Sequence, residues 1–237
     1  TTTTVNLAAC IAELGYRVLV VDFDPQANAT SALGIDPRSV EKSMYDVILN
    51  DVDLRDCIMK SQWESLSVAP SNLDLAGAEI ELVSAFNRER LLDGAISSVI
   101  SDYDFVLIDC PPSIGLLTVN ALTAASEVLV PIQCEYLALE GLGQLLSNVE
   151  RVKNHLNKDL HISTIALVMF DARTKLAGQV VEEIRSHFGE RVCQQTVPRS
   201  VRLSEAPSYG QPIIYYDSSS RGAIAYRSLA KEITGGA

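Results

Sequence analysis

The chain has no Cys-x-x-Cys pair, and its five cysteines (Cys10, Cys57, Cys110, Cys134, Cys193) are odd in number and scattered. That spacing suits neither a disulfide framework nor a metal or iron–sulfur cage, so free thiols packed in the interior are expected. Long apolar runs are also missing. Stretches such as Val18 to Val21 and Val128 to Ile132 fall far short of the ~20 residues a bilayer crossing needs, and no charged-then-apolar leader precedes them. A soluble, cytoplasmic protein is expected, with no membrane partner. Basic residues are the minority, 19 Lys and Arg against 30 Asp and Glu, for a formal net charge of −11. An acidic surface repels phosphates, which argues against a nucleic-acid partner. A local basic patch still acts within a Debye length of ~8 Å, so the arginines must be judged one by one. Repeats, low-complexity tracts and long linkers are absent, which favours one domain over residues 1–237.

What is present is a regular alternation. Apolar runs rich in β-branched residues, Arg17 to Asp22, Leu66 to Ala69, Phe105 to Asp109, Val128 to Pro131 and Ile162 to Val168, read as strands. Helical patterns cover Thr2 to Leu14, Arg88 to Ser101, Leu139 to His155, Leu176 to Phe188 and Ala223 to Glu232. Nearly continuous hydrophobic strands separated by helices predict an α/β fold: a mostly parallel sheet with helices on both faces and ligands at the carboxyl ends of the strands. Asp36 to Ser71 is the least regular stretch and reads as an excursion from that sheet. The first residue is Thr1 and the opening residues already read as a helix, so a preceding piece is expected.

Three segments carry chemistry. Thr1-Thr2-Thr3-Thr4 puts hydroxyls at a helix start, where unpaired N–H groups and the positive dipole end favour a phosphate, although threonines also cap helices with no ligand present. Val20-Val21-Asp22-Phe23-Asp24-Pro25-Gln26-Ala27-Asn28-Ala29-Thr30 brings two alternating acids to the end of a buried strand, on one face. Such a pair calls for a counter-charge, a magnesium–phosphate cluster or a lysine; an acid capping a βα turn is the alternative, more so for Asp22 than for Asp24. Ile108-Asp109-Cys110-Pro111-Pro112-Ser113 ends an apolar strand in a single acid, the Walker B arrangement, which accepts hydrogen bonds from magnesium-bound water.

In this order, and together with Val201-Arg202-Leu203-Ser204-Glu205-Ala206-Pro207-Ser208, these segments resemble the signature of the ParA family of partition ATPases, specifically its chromosomal Soj branch, over nearly the whole chain. The resemblance implies a P-loop NTPase in which a strand and a loop Lys-Gly-Gly-Val-Gly-Lys-Thr-Thr lead into the first helix. It implies ATP and Mg2+ as cofactors, with Thr1 on magnesium and Thr2 on a phosphate oxygen. Asp24 would orient and deprotonate the attacking water and sit at the metal, Asp22 would support that site, and Asp109 would hold magnesium through water. Adenine contacts would fall near Met169 to Asp171 and Thr196 to Arg199, Pro198 and Arg199 among them, and Arg173 and Arg202 would meet the DNA backbone. Partners implied are nonspecific DNA, a second copy in an ATP-dependent homodimer and a ParB-like centromere-binding protein, with the replication initiator DnaA a further candidate and the nucleoid the location. The loop's lysines and glycines are not in the chain, so as written it is expected not to hydrolyse ATP; about fifteen further residues, one strand and the loop, are expected ahead of Thr1. The family's asparagine after Arg199 is Ser200 here, which leaves that loop's contact open.

Rival readings stay in view. A MinD-like membrane ATPase needs a basic amphipathic C-terminal helix, and the last residues are barely basic and lack Trp and Phe. A dinucleotide-dependent oxidoreductase would use Asp22 or Asp24 on a ribose. A nucleotide-independent adaptor would keep only protein-binding surfaces.

Overall fold

The computed structural model describes residues 1–135 and 138–235. Among these residues six strands form: β1 (Val18–Asp22), β2 (Met59–Lys60), β3 (Leu66–Ala69), β4 (Phe105–Asp109), β5 (Glu127–Gln133) and β6 (His161–Val168). The helices are α1 (Thr2–Glu13), α2 (Asn28–Ala32), α3 (Met44–Leu49), α4 (Leu54–Cys57), α5 (Leu75–Glu81), α6 (Leu91–Ser97), α7 (Leu116–Ala124), α8 (Ala138–His155), α9 (Lys175–Phe188), α10 (Val201–Glu205), α11 (Ile213–Tyr216) and α12 (Arg221–Ile233).

Strands β2, β3, β1 and β4 form one sheet in that order, with β3 and β4 parallel to β1 and β2 antiparallel at the edge. Strands β5 and β6 form a second, parallel pair. Among the described residues β4 and β5 each have a ladder on one edge only.

Burial follows the strand alternation. All five residues of β1 are buried, and successive side chains enter opposite layers. Val18 and Val20 join Leu66, Val68, α1 and α12 in one core, while Leu19 and Val21 join Ala69 and the layer of α3, α5, α6 and α7 in another. A third core lies between β5–β6 and helices α8 and α9. Leu107 of β4, Leu129 of β5 and Ala166 of β6 all pack on the α1 core, so α1 bridges both sheets.

Two expectations are corrected. The helix expected over Arg88 to Ser101 is only Leu91–Ser97: Asn87 takes a left-handed conformation (φ 54°) just upstream, and the chain tightens into a 3-10 turn at Ile100–Asp102. The irregular stretch Asp36 to Ser71 is not outside the sheet, since β3 within it pairs along β1 and β2 extends the same sheet.

Candidate active site

The carboxyl ends of β1 and β4 lie side by side, with Asp22 and Asp109 as register partners. The next residue of the β1 chain stays attached to β4, its Phe23 amide donating to the Asp109 carbonyl at 2.8 Å. The chain then turns: the Ala27 amide donates to the Asp24 carbonyl (2.9 Å), the Gln26 amide to Asp24 Oδ1 (2.9 Å), and Ala27 takes a left-handed conformation (φ 51°) before α2 begins. This is an Asx turn, the geometry an Asp-Pro-Gln string favours.

Asp22, Asp24 and Asp109 are all buried. Asp109 takes Thr1 Oγ1 at 2.7 Å on Oδ2 and Thr4 Oγ1 at 2.8 Å on Oδ1. The opening threonines therefore divide their work. Thr1 occupies the N-cap position of α1 but makes no side-chain cap bond, because its hydroxyl points to Asp109; Thr3 turns inward to the Tyr226 hydroxyl (3.3 Å). Thr2 stays exposed at the helix start.

Asp22 is engaged differently. Oδ2 receives the Thr30 amide (2.7 Å) and the Thr30 hydroxyl (2.6 Å), and Oδ1 receives the Asp24 amide (3.3 Å). Burial pushes its carboxyl up to about 6; the hydrogen bonds from Thr30 oppose that rise and the neighbouring Asp109 adds to it. With both oxygens on chain donors, Asp22 shapes the loop that carries Asp24. Asp24 keeps only the Gln26 contact on Oδ1, and among the described residues nothing donates to its Oδ2.

The set of hydroxyls and carboxylates is one of hard oxygen donors. Among the described residues no cluster of three or more His, Cys, Asp or Glu could by itself enclose a metal. The cysteines are free; burial pushes Cys10, Cys57 and Cys110 up to about 12 and Cys134 and Cys193 to about 11.

The later loops meet at a second place. Phe170 and Pro198 form a bridge; the Phe170 amide donates to the Val197 carbonyl (3.0 Å) and the Arg199 amide to the Phe170 carbonyl (2.9 Å). This joins Met169 to Asp171 with Pro198 and Arg199, and Met169 adopts φ 57°, a costly conformation for a long side chain. Arg173 forks onto Asp171 (Nε to Oδ1 2.9 Å, Nη2 to Oδ2 2.7 Å), which holds that carboxyl at about 2, with Arg199 adding to the effect. Arg199 itself donates to Glu135 at 3.1 Å. Arg202 donates to Glu205 at 3.1 Å and lies 3.6 Å from Asp217, while Tyr216 also donates to Glu205 (3.2 Å).

Two residues of this arrangement carry no separate signal in the sequence: Thr30 and Ser71, whose amide donates to Thr30 Oγ1 at 3.0 Å. Thr4 follows from helix spacing, one turn on from Thr1.

Residues 1–162 match the family model described as an AAA domain. The chain is 55% identical to the sporulation initiation inhibitor protein Soj of Bacillus subtilis strain 168, over 98% of this chain and 92% of that one. It is 46% identical to the chromosome-partitioning ATPase Soj of Treponema pallidum, over 98% and 91%. Among solved structures, cobyrinic acid a,c-diamide synthase from Mycobacterium smegmatis with a bound ATP analog and magnesium matches with a TM-score of 0.85 at 37% identity, covering 98% of this chain and 88% of that one. The cell division ATPase MinD of Pyrococcus furiosus matches with a TM-score of 0.81 at 25% identity, covering 100% and 93%. The motifs, the parallel sheet and these likenesses agree: the chain belongs to the ParA/Soj family of chromosome-partitioning ATPases.

Proposed function

We propose that this protein is a DNA-segregation switch timed by ATP: with ATP it closes into a homodimer that binds nucleoid DNA without sequence preference, and a ParB-like partner stimulates hydrolysis and release. The observation that carries this reading is the meeting of the α1 threonines, Asp109 and the Asp22–Asp24 loop at one end of the sheet. Thr1, Asp24 and Asp109 would hold magnesium, partly through water, which suits an ion that dehydrates reluctantly and needs few carboxylates. When bound, the ion neutralises phosphate charge. Asp24, buried and with no donor to Oδ2 among the described residues, orients the attacking water and accepts its proton, while Thr2 at the exposed helix start binds a phosphate oxygen.

Arg173 and Arg202 would take DNA phosphates in exchange for their present acidic partners, and Met169, Asp171, Pro198 and Arg199 would surround the adenine. A membrane-binding role gains no support from α12, whose apolar residues Ala223, Tyr226 and Leu229 are packed in the α1 core. No helix among the described residues is long and apolar enough to cross a membrane.

The test is DNA co-sedimentation of the protein carrying its phosphate loop, with ATP, ADP or no nucleotide, at several salt concentrations. Binding confined to ATP, with a slope of log affinity against log salt of about −3.6 for the four arginines of a dimer, is expected. Arg173→Glu with Arg202→Glu should dimerise and lose DNA, and Asp24→Ala should dimerise and lose turnover. Equal binding in all three nucleotide states would sink the switch.

A further inference from the structure

Beside the three acids stands a fully buried hydroxyl with no assigned part. Thr30, in the first turn of α2, is 0% exposed. Its Oγ1 donates to Asp22 Oδ2 at 2.6 Å, its amide donates to the same oxygen at 2.7 Å, and Oγ1 accepts the amide of Ser71 at 3.0 Å. Ser71, equally buried, lies just past β3. The other oxygen of Asp22 receives the Asp24 amide, and Asp24 Oδ1 receives the Gln26 amide. An uninterrupted relay of hydrogen bonds therefore runs from the end of β3, through Thr30 and Asp22, to the backbone of Asp24.

A single side-chain atom is both donor and acceptor at the centre of this relay, and only a hydroxyl fills that place. Its contact to a carboxylate is short, as charge-assisted bonds are. Buried networks of this kind fix one conformation when every member is satisfied. The object fixed here is a five-residue loop whose side chain of interest, Asp24, has no other anchor among the described residues than its own turn.

We propose that Thr30 is a positioning residue for hydrolysis: by holding the Asp22 carboxylate between α2 and β3 it sets the backbone of Asp24, and so the direction of the carboxylate that handles the attacking water. This rests on the reading of Asp24 given above. Thr30 touches neither nucleotide nor water in this scheme, so its loss should slow the chemical step and leave nucleotide binding in place.

The decisive comparison is among Thr30→Val, which keeps the shape and removes the hydroxyl, Thr30→Ser, which keeps the hydroxyl, and the unaltered protein, all carrying the phosphate loop. In Thr30→Val, kcat for ATP should fall about tenfold to a hundredfold, the scale on which a misplaced catalytic group acts, while KM stays within about threefold. Thr30→Ser should retain kcat within about twofold. Unchanged kcat in Thr30→Val, a loss that appears in KM alone, or equal loss in the valine and serine variants would overturn the proposal. Should Thr30→Val fail to fold, Thr30→Ala is read against Thr30→Ser by the same criteria, since the smaller side chain leaves room for water and introduces no clash. Asp24→Ala run alongside separates the two ideas. If that variant still turns over ATP, the reading of Asp24 fails; if it is inactive while Thr30→Val is fully active, only the role of Thr30 fails.

Discussion

Two places where this chain gathers charged residues are built in opposite ways. At the end of the four-stranded sheet Asp22, Asp24 and Asp109 are 0%, 6% and 3% exposed, and their partners come from α1, α2 and the β1 loop, up to 108 residues away in the chain. Beyond β6, Arg173 and Arg202 are 87% and 57% exposed, and each is paired with an acid two or three residues away. Buried acids held by distant donors are rigid before any ligand arrives, and a reaction centre gains from such preorganisation. Exposed arginines on neighbouring acids are held by contacts worth little, so they can exchange one anion for another. Under the proposed function, chemistry falls to the first place and reversible anion binding to the second, a division of labour that matches this contrast.

The largest expected effect comes from breaking the rigid side of the comparison. Asp109→Ala removes the acceptor shared by Thr1 and Thr4 and should lower ATP turnover by at least about a hundredfold, comparable to losing a preorganised electrostatic group. Turnover measured under saturating ATP checks this, and a fall below about tenfold would mean that the threonine–aspartate cage is a structural device. No single arginine of the second region should have an effect of that size on basal turnover.

The next effect lies where the two regions touch. Gly34, just after α2, and Gly210, just after the turn that follows α10, both have positive φ (77° and 61°), and a Cβ on Gly210 would stand 2.9 Å from the Gly34 Cα. Gly210→Ala is strained by backbone conformation and by contact alike, and should destabilise the fold by about 1–3 kcal/mol. Thermal unfolding measures it. A neutral result would show that α2 and the arginine segment move independently, which would sharpen the contrast by removing this glycine–glycine seam.

How much of this was legible in the sequence follows from how local each feature is. The strand runs ending at Asp22 and Asp109 were legible to within a residue because β1 and β4 are apolar throughout and end in an acid. Helix α7 was not: Leu117, Thr118, Asn120, Ala121, Leu122 and Thr123 are all buried, so no polar face exists to give a 3.6-residue period. Its start is also unsignalled, because Gly115 offers no cap and the α7 amides of Leu116 and Leu117 are met by Glu79 from α5. At the site, Asp24 and Asp109 could be picked out by their place after a strand. Thr30 could not, since its meaning comes from Ser71, 41 residues further on. The sequence left Asp22 open between turn cap and metal support, and in the structure both of its oxygens are engaged by the loop, through Thr30 and the Asp24 amide.

A smaller effect tests the exchangeable side. Asp171 both restrains Arg173 and sits near Arg199, and it was expected at the adenine. Asp171→Asn removes one negative charge beside two arginines, which should tighten DNA binding in the ATP state by less than about tenfold, an increment in keeping with an exposed pair. If the carboxylate serves the nucleotide instead, the same variant weakens ATP and leaves DNA affinity at a given occupancy unchanged. Titrating each ligand separately tells the two apart.

The smallest effect belongs to a pair that combines both designs. Asp104, beside the start of β4, receives the backbone amide of Arg17 (2.8 Å) as Asp22 receives that of Thr30, yet it also forks with the exposed Arg17 guanidinium at 2.9 and 3.2 Å. Those hydrogen bonds hold its carboxyl at about 2, below the ordinary 3.8. A depressed folded-state value means that the unfolded chain binds the proton more readily, so this contribution to stability is present above pH 3.8 and disappears as the pH falls towards 2. Asp104→Asn should therefore unfold slightly more easily than the parent at neutral pH, and the gap should close across that acid window. A gap that persisted below pH 2 would place the effect in the amide contact alone; a gap that also shrank in high salt at neutral pH would assign it to the ion pair, the part that resembles Arg173 and Arg202.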